Sequence, residues 1–141
     1  MHLRSYHPGE ETTLWELVHG VGARVASSRA QMDWSHWKAD LQVHRPFIVE
    51  YDHQVVGYVD LDQDGVIGHL FVRSAWQGRG VGALLMHKVV QQALEQGASQ
   101  LRAQVSREAL PFFTHWGFVP LAECDAPGRG GDLLMCKYLL S

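Results

Sequence analysis

One short segment, residues 70–83, constrains this chain more than any other. It begins with an apolar, strand-like run and continues into a loop that holds Gly78, Gly80 and Gly82. Glycines at a strand-to-helix junction let the main chain approach a ligand closely, and the unpaired N–H groups of a first helical turn favour a phosphate. The segment therefore predicts a strand, a phosphate-binding turn and a helix, with Arg79 as an added positive charge. The helix is predicted from apolar positions at helical spacing, namely Leu84, Leu85, Val89, Val90 and Ala93.

The bulk properties of the chain are those of an ordinary globular domain. Its 141 residues are 46% hydrophobic and 19% charged, which fits a single domain over residues 1–141. A net charge of −3 argues against general nucleic-acid binding, which depends on a basic surface. No apolar run approaches the roughly 20 residues of a membrane span, and the N-terminus lacks the apolar core of a secretion signal. Because Cys124 and Cys136 have no metal-type spacing, we expect reduced thiols, no metal and a cytoplasmic location.

The rest of the chain predicts a mixed α+β domain. Turn residues and hydrophobic periodicity give the order β-α-α-β-β-β-α-β-α-β-β, with one strand–helix–strand crossover between two antiparallel parts. The second helix has Asp33 as its candidate N-cap. Strands are expected at about 2–6, 47–51, 55–59, 66–72, 101–105, 118–121 and 133–140, and helices at about 10–30, 33–41, 81–96 and 108–116.

Three kinds of phosphate ligand compete for the glycine loop. A Walker A loop needs Lys followed by Ser or Thr after the glycines, and that pair is missing. The spacing Gly78-x-Gly80-x-x-Ala83 matches the dinucleotide fingerprint, but residues 74–77 separate the strand from the first glycine and no acidic residue ends the next strand. The third ligand is coenzyme A. A glycine turn that binds nothing is the remaining alternative.

Coenzyme A is favoured by a resemblance to a known family. Residues 77–82 (QGRGVG) fit the pattern Q/R-x-x-G-x-G/A, the acetyl-CoA signature of the GCN5-related N-acetyltransferases, or GNAT family. Residues 106–118 resemble the second block of that family, and the likeness covers nearly the whole chain. Residues 47–50, 69–72 and 111–113 together resemble a bacterial subgroup, the YafP-like acetyltransferases.

The resemblance implies a GNAT-type fold in which the central parallel strands splay apart and the acyl-pantetheine arm lies in the gap. Backbone groups of Leu70 and Val72 would hold that arm, amides of residues 77–82 would wrap the pyrophosphate, and an amide near Leu70 would polarise the thioester carbonyl. The implied cofactor contacts are Leu70, Phe71, Val72, Gln77, Gly78, Arg79, Gly80, Val81, Gly82, Ser106 and Phe113.

The implied activity is direct transfer of an acetyl group from acetyl-CoA to a primary amine of a small molecule or peptide. The amine must lose a proton and the departing thiolate must gain one. His69 is the candidate base, because it lies on the strand that would carry the thioester, one residue before Leu70, and an imidazole has a near-neutral pKa. The Glu that usually serves as base in the family is absent, since Val66 stands at its position. A structural or substrate-wall histidine is the alternative. Phe113 stands where many relatives have a Tyr that protonates the sulfur, Ser106 is a weak acid, and His115 is expected to face solvent.

Features of the acceptor side are less specific. Asp60 and Asp62 either attract a cationic amine or are solvated strand ends. Trp15, Trp34 and Trp37 either form an aromatic wall for the acceptor or are ordinary core. Two alternatives to amine acetylation remain: a non-catalytic module that senses acetyl-CoA or binds a partner, and transfer to a hydroxyl acceptor. The sequence also allows a homodimer.

Overall fold

The computed structural model describes residues 1–19, 33–44, 46–121 and 133–139. Across these residues the elements follow the order expected from the sequence. The strands are β1 (His2–Ser5), β2 (Phe47–Tyr51), β3 (Gln54–Leu61), β4 (Val66–Val72), β5 (Gln100–Val105), β6 (Val119–Pro120) and β7 (Leu133–Tyr138). The helices are α1 (Glu11–His19), α2 (Trp34–His44), α3 (Val81–Glu95) and α4 (Leu110–His115), with 3-10 turns at Ser74–Trp76 and Arg107–Ala109.

The strands form one mixed sheet in the order β1-β2-β3-β4-β5-β7-β6. All neighbours are antiparallel except β4 and β5, which the α3 crossover makes parallel. This arrangement confirms the predicted α+β class.

Some element boundaries differ from the expected ones. The sixth strand is only Val119–Pro120, because the N–H of Phe118 bonds to the carbonyl of Phe113 and closes the end of α4 at Gly117 (φ 89°). The helix expected over 108–116 begins with the 3-10 turn and becomes α-helical at Leu110. Residues 20–30 of the first expected helix and Cys124 lie outside the described residues, whereas Cys136 is buried in β7.

The central parallel pair is joined only at its beginning. Val66 pairs with Arg102 and Ile67 with Ala103, and no later residue of β4 pairs with β5 in the described structure. From that point β4 continues along β3, while β5 continues along β7 to the Val105–Leu133 pair. The sheet therefore opens into a wedge after Ile67, which confirms the splayed pair and leaves the β5-facing edge of β4 without a neighbouring strand.

The helices divide between the two faces of the sheet. Helices α3 and α4 pack on one face, where Leu85 and Phe113 share a core cluster with Leu70. On the other face, α2 contributes Trp37 to a second cluster that contains Phe71. Since successive strand residues point to opposite faces, Leu70 faces α3 and its neighbours along β4 face α1 and α2. This alternation decides which residues of β4 share a site.

A glycine in β3 fixes where α3 begins. A Cβ atom at Gly57 would lie 2.7 Å from Val81 Cγ1 and 2.9 Å from the carbonyl oxygen of Phe71. The missing side chain lets Val81, the first residue of α3, pack directly on the sheet, where it is buried. The position of the helix N-terminus above β3 and β4 therefore depends on this close approach.

We predict that Gly57→Ala lowers the free energy of unfolding by about 1–3 kcal/mol, because the added methyl overpacks the contact between β3 and α3. Urea denaturation measures the change. The control is Gln91→Ala at an exposed position of α3, which should stay within about 0.5 kcal/mol of the parent protein. Equal stabilities for the two variants would show that α3 is not seated through Gly57.

Candidate active site

A cleft of about 520 Å³ opens on the α3 and α4 side of the wedge. Its walls come from β4, the glycine turn, the first turn of α3 and the 106–116 segment. Most of the predicted cofactor contacts line it: Leu70, Val72, Gln77, Gly78, Gly80, Gly82, Ser106 and Phe113. Sequence positions up to 43 residues apart, from 70 to 113, thus meet at one cavity.

The other three predicted contacts place their side chains elsewhere. Phe71 belongs to the cluster under α1 and α2, and Val81 is buried beneath α3. The Arg79 guanidinium lies over the ring of Trp76, with its carbon 5.1 Å from the ring centroid. Trp76 in turn packs against Tyr51 at 4.9 Å. Any contact that these three residues make in the cleft would come from their main chain.

The glycine turn presents main-chain N–H groups to the cleft. Gly78 (φ 78°) and Gly80 (φ 89°) both adopt the left-handed conformation that glycine tolerates best. Gly80 is the N-cap of α3 and offers no side chain, so the N–H groups of the first helical turn have no intrahelical acceptor. No acidic residue occupies that turn. The site therefore has the amides and the positive dipole end that bind an anion.

Two of the amides predicted to wrap a pyrophosphate are already used within the turn. The Gln77 N–H donates to the Ser74 carbonyl at 3.4 Å, and the Arg79 N–H donates to the Trp76 carbonyl at 3.3 Å. These bonds hold the turn in shape, and they limit direct anion contacts to the amides of the glycines and of the first turn of α3.

Aromatic rings form the opposite wall of the cleft. A Cβ atom at Gly82 would lie 2.9 Å from Phe112 Cε1, so α3 and α4 approach closely there. Phe113 is fully buried and packs edge-on against Phe118 at 4.9 Å. The titratable side chains of the lining are Glu108 and His115, and His115 is exposed as expected.

A buried acid–base pair lies on the opposite face of β4. Asp60 and His69 face each other across β3 and β4, and their side chains are each 1% exposed. His69 Nδ1 lies 2.7 Å from Asp60 Oδ2, and the His69 backbone N–H donates to Asp60 Oδ1 at 2.9 Å. Asp60 is therefore not a solvated strand end. Asp62, only half-buried, instead accepts the backbone N–H groups of Asp64 and Val66 and shapes the turn before β4.

Nε2 of His69 is buried and lacks a hydrogen bond in the described structure. The hydroxyl of Tyr58 and the indole nitrogen of Trp37 are in contact, but their geometry falls short of a well-aligned hydrogen bond. The Tyr58 and His69 rings are 6.1 Å apart. Burial raises the pKa of Tyr58 well above its usual value, the charge of Asp60 acts in the same direction, and Trp37 opposes them. Tyr58 consequently stays a neutral hydroxyl at physiological pH.

The three tryptophans of α1 and α2 pack on one another. Ring centroids are 5.4 Å apart for Trp15 and Trp34, 5.4 Å for Trp15 and Trp37, and 6.0 Å for Trp34 and Trp37. Trp37 is fully buried beside Tyr58, whereas Trp34 is 36% exposed. Trp37 thus belongs to the core, and Trp34 forms the part of the tryptophan cluster that is exposed at the surface.

A family model described as an acetyltransferase (GNAT) domain matches residues 21–129, well over half of the chain. The protein belongs to the GNAT acetyltransferase family. Its domain is thus an acyltransferase domain, which confirms the resemblance seen in residues 77–82 and 106–118.

Solved structures of GNAT proteins share the fold at low sequence identity. A GCN5-related N-acetyltransferase from Rhodopseudomonas palustris has a TM-score of 0.79 and 22% identity, covering 98% of this chain and 95% of that one. The putative acetyltransferase yncA from Salmonella typhimurium, solved with acetyl-CoA, has a TM-score of 0.72 and 18% identity over 100% and 95%. The PaiA N-acetyltransferase from Thermoplasma acidophilum, solved with coenzyme A, has a TM-score of 0.72 and 14% identity, covering 98% of each chain.

The described segments hold neither a metal-binding cluster nor a membrane-spanning helix. No three His, Cys, Asp or Glu side chains of the described segments come together as ligands for a metal ion. None of the helices described above has the length and apolar content needed to cross a membrane.

Sequence reasoning missed the partnership between Asp60 and His69. The available signal was Gly68, because a glycine inside a strand often marks a bulge. The register between β3 and β4 does shift there: Leu61 pairs with Ile67, but Asp60 pairs with His69. Tyr58 and Phe112 were also missed, since apolar patterning alone gives an aromatic residue no special role.

We predict that Tyr58→Phe leaves the free energy of unfolding unchanged or raises it by about 1 kcal/mol, because the buried hydroxyl has no well-aligned hydrogen bond to any described residue, Trp37 included. Chemical denaturation measures the difference. A loss of more than about 1 kcal/mol would mean that the hydroxyl is hydrogen-bonded in the folded protein.

Proposed function

We propose that this GNAT protein transfers an acetyl group from acetyl-CoA directly to a primary amine of a small molecule or peptide. The observation that carries the proposal is the opening after Ile67. It has a cleft with unpaired helix-start amides on one face and, on the other, a buried histidine whose Nε2 bonds to none of the described residues. The acetyl-CoA and coenzyme A complexes of the yncA and PaiA proteins, which share the fold, support this choice of cofactor.

The cofactor would bind mainly to main-chain groups. The free edge of β4 from Gly68 to Val72 offers N–H and carbonyl groups to the amides of pantetheine, as an added strand would. The amides at the start of α3 would hold the pyrophosphate. Since Arg79 lies over Trp76, we assign no phosphate contact to its guanidinium.

The acetyl group would then lie in the wedge, next to the face that carries His69. Nε2 of His69 takes a proton from the ammonium of the acceptor, and the freed lone pair attacks the thioester carbonyl. A main-chain N–H near Leu70 stabilises the oxyanion. The attacking nitrogen then loses its second proton to water. When the tetrahedral intermediate collapses, the C–S bond breaks, the neutral amide forms and coenzyme A leaves as a thiolate.

The thiolate takes its proton from water or from His115, because Phe113 has no hydroxyl to donate. A thiol pKa near that of cysteine, about 8.5, makes the thiolate a good leaving group, so the missing tyrosine does not prevent turnover. Holding the amine and the thioester in contact contributes more to the rate enhancement than the transfer of a proton to the thiolate does.

The second candidate function is a non-catalytic module that senses acetyl-CoA or binds a partner. It is favoured by Phe113 and Val66, which stand where many relatives have a tyrosine acid and a glutamate base.

Four expectations from the sequence stay predictions: membership of the YafP-like subgroup, a single domain over residues 1–141, a cytoplasmic location and a homodimer.

A panel of primary amines, peptides and alcohols, assayed for free thiol released from acetyl-CoA, separates the two functions. We expect at least one amine to raise thiol release well above the rate without acceptor. Calorimetric binding of acetyl-CoA with no thiol release across the panel would favour the sensor. Acetylation of alcohols but not of amines would overturn the proposed acceptor class.

We predict that Gly80→Glu lowers acetyl-CoA affinity at least about 100-fold, because its carboxylate would repel the pyrophosphate at the head of α3. Gly97→Glu is the matched control, since Gly97 also has a positive φ (79°), follows the other end of α3 and has open space around it. Calorimetry on both variants measures the effect. Equal affinities would contradict the phosphate assignment.

We predict that His69→Gln lowers kcat about 100-fold or more and leaves KM for acetyl-CoA within about threefold, because a general base acts on the amine and not on the cofactor. His2→Gln, at an exposed position, is the control. Normal turnover in His69→Gln would remove this residue from the mechanism.

A further inference from the structure

We propose that Asp60 is the positioning residue that makes His69 a base, by holding the imidazole in the tautomer with its proton on Nδ1. Its catalytic consequence rests on the proposed function, whereas the tautomer itself can be observed without turnover. Asp60 belongs to β3 and lies directly opposite His69.

Both oxygens of the Asp60 carboxylate are used by the same residue. Oδ1 accepts the His69 backbone N–H at 2.9 Å, and Oδ2 lies 2.7 Å from His69 Nδ1. The first bond fixes the carboxylate relative to β4, and the second fixes the ring relative to the carboxylate. The rotation of the imidazole is therefore set by the backbone of its own strand.

The bond to a carboxylate determines where the proton of the neutral ring lies. An ionised carboxylate only accepts hydrogen bonds, so Nδ1 must be the donor and Nε2 keeps its lone pair. Nε2 is buried and has no partner in the described structure. Because no described group occupies this lone pair, it is available to a proton donor that reaches the ring.

Two further titratable groups that pack on this face, Tyr58 and Glu11, do not compete for the imidazole. Tyr58 stays neutral because burial raises its pKa well above the usual value. Glu11 on α1 accepts the hydroxyl of Tyr6 and the N–H of Gly9, and these hydrogen bonds, more than the charge of Lys38 on α2, lower its pKa. Asp60 is thus the charged group that acts on the His69 ring by direct contact.

Asp60→Asn should reverse the tautomer. The amide oxygen would accept the backbone N–H of His69, so the amide NH₂ would face Nδ1 and act as a donor. Nδ1 must then carry the lone pair and Nε2 the proton, which leaves the acceptor amine without a base. We expect kcat to fall about 100-fold or more, with KM for acetyl-CoA unchanged because the cleft lies on the other face of β4.

The test combines NMR spectroscopy with kinetics on the full chain. Two-bond ¹H–¹⁵N correlation spectra of the ¹⁵N-labelled protein report which ring nitrogen carries the proton, and the spectrum of His69→Gln identifies the His69 signals among those of nine histidines. We expect protonated Nδ1 in the parent protein and protonated Nε2 in Asp60→Asn. Asp64→Asn, the same charge change at an exposed turn residue, should alter neither tautomer nor kcat. Asp60→Glu, which keeps the carboxylate, should keep the parent tautomer and restore part of the lost kcat.

Protonated Nε2 in the parent protein would overturn the proposal, even if Asp60→Asn failed to fold. An unchanged tautomer or an unchanged kcat in Asp60→Asn would overturn it as well. A parent protein with protonated Nδ1 that acetylates no amine would support the positioning of His69 by Asp60 and overturn the proposed function instead.

Discussion

The parallel strands β4 and β5 are joined by two residue pairs at their beginning and then separate. A sheet normally pairs its backbone groups throughout, so a free edge at its centre must be satisfied by something other than a strand. Here the opening adjoins the cleft under α3 and α4. Because side chains alternate along β4, the same opening has Leu70 on one face and His69 on the other. The proposed chemistry depends on this one feature of strand pairing.

The two faces of β4 use different parts of the chain. On the cleft side the groups that we propose to bind the cofactor are main-chain amides, which do not depend on the side chains of Phe113 or Arg79. On the side of α1 and α2 the proposed catalytic groups are the buried side chains of Asp60 and His69, whose contact depends on the identity of both residues. Substitutions should therefore be tolerated far better in the cleft lining than at the buried pair.

Local patterns were enough to predict most of the fold. The glycine turn, the order of the elements and the N-cap of α2 at Asp33, which accepts the His36 N–H at 2.9 Å, follow from neighbours in sequence. The splayed pair was predicted from family resemblance and not from periodicity, which carries no information on strand pairing. Asp60 and His69 face each other because the register shifts at Gly68, and the Arg79 side chain is positioned by its contact with the ring of Trp76. Such contacts depend on tertiary geometry, which residue spacing does not determine.

The most direct test of the wedge is hydrogen–deuterium exchange of the main-chain amides with and without acetyl-CoA. If the cofactor occupies the opening, exchange should slow in residues 68–72 along the free edge of β4 and in residues 78–83 at the head of α3, while α2 changes little. Slower exchange confined to α2, or no change in residues 68–83 at saturating acetyl-CoA, would contradict the account.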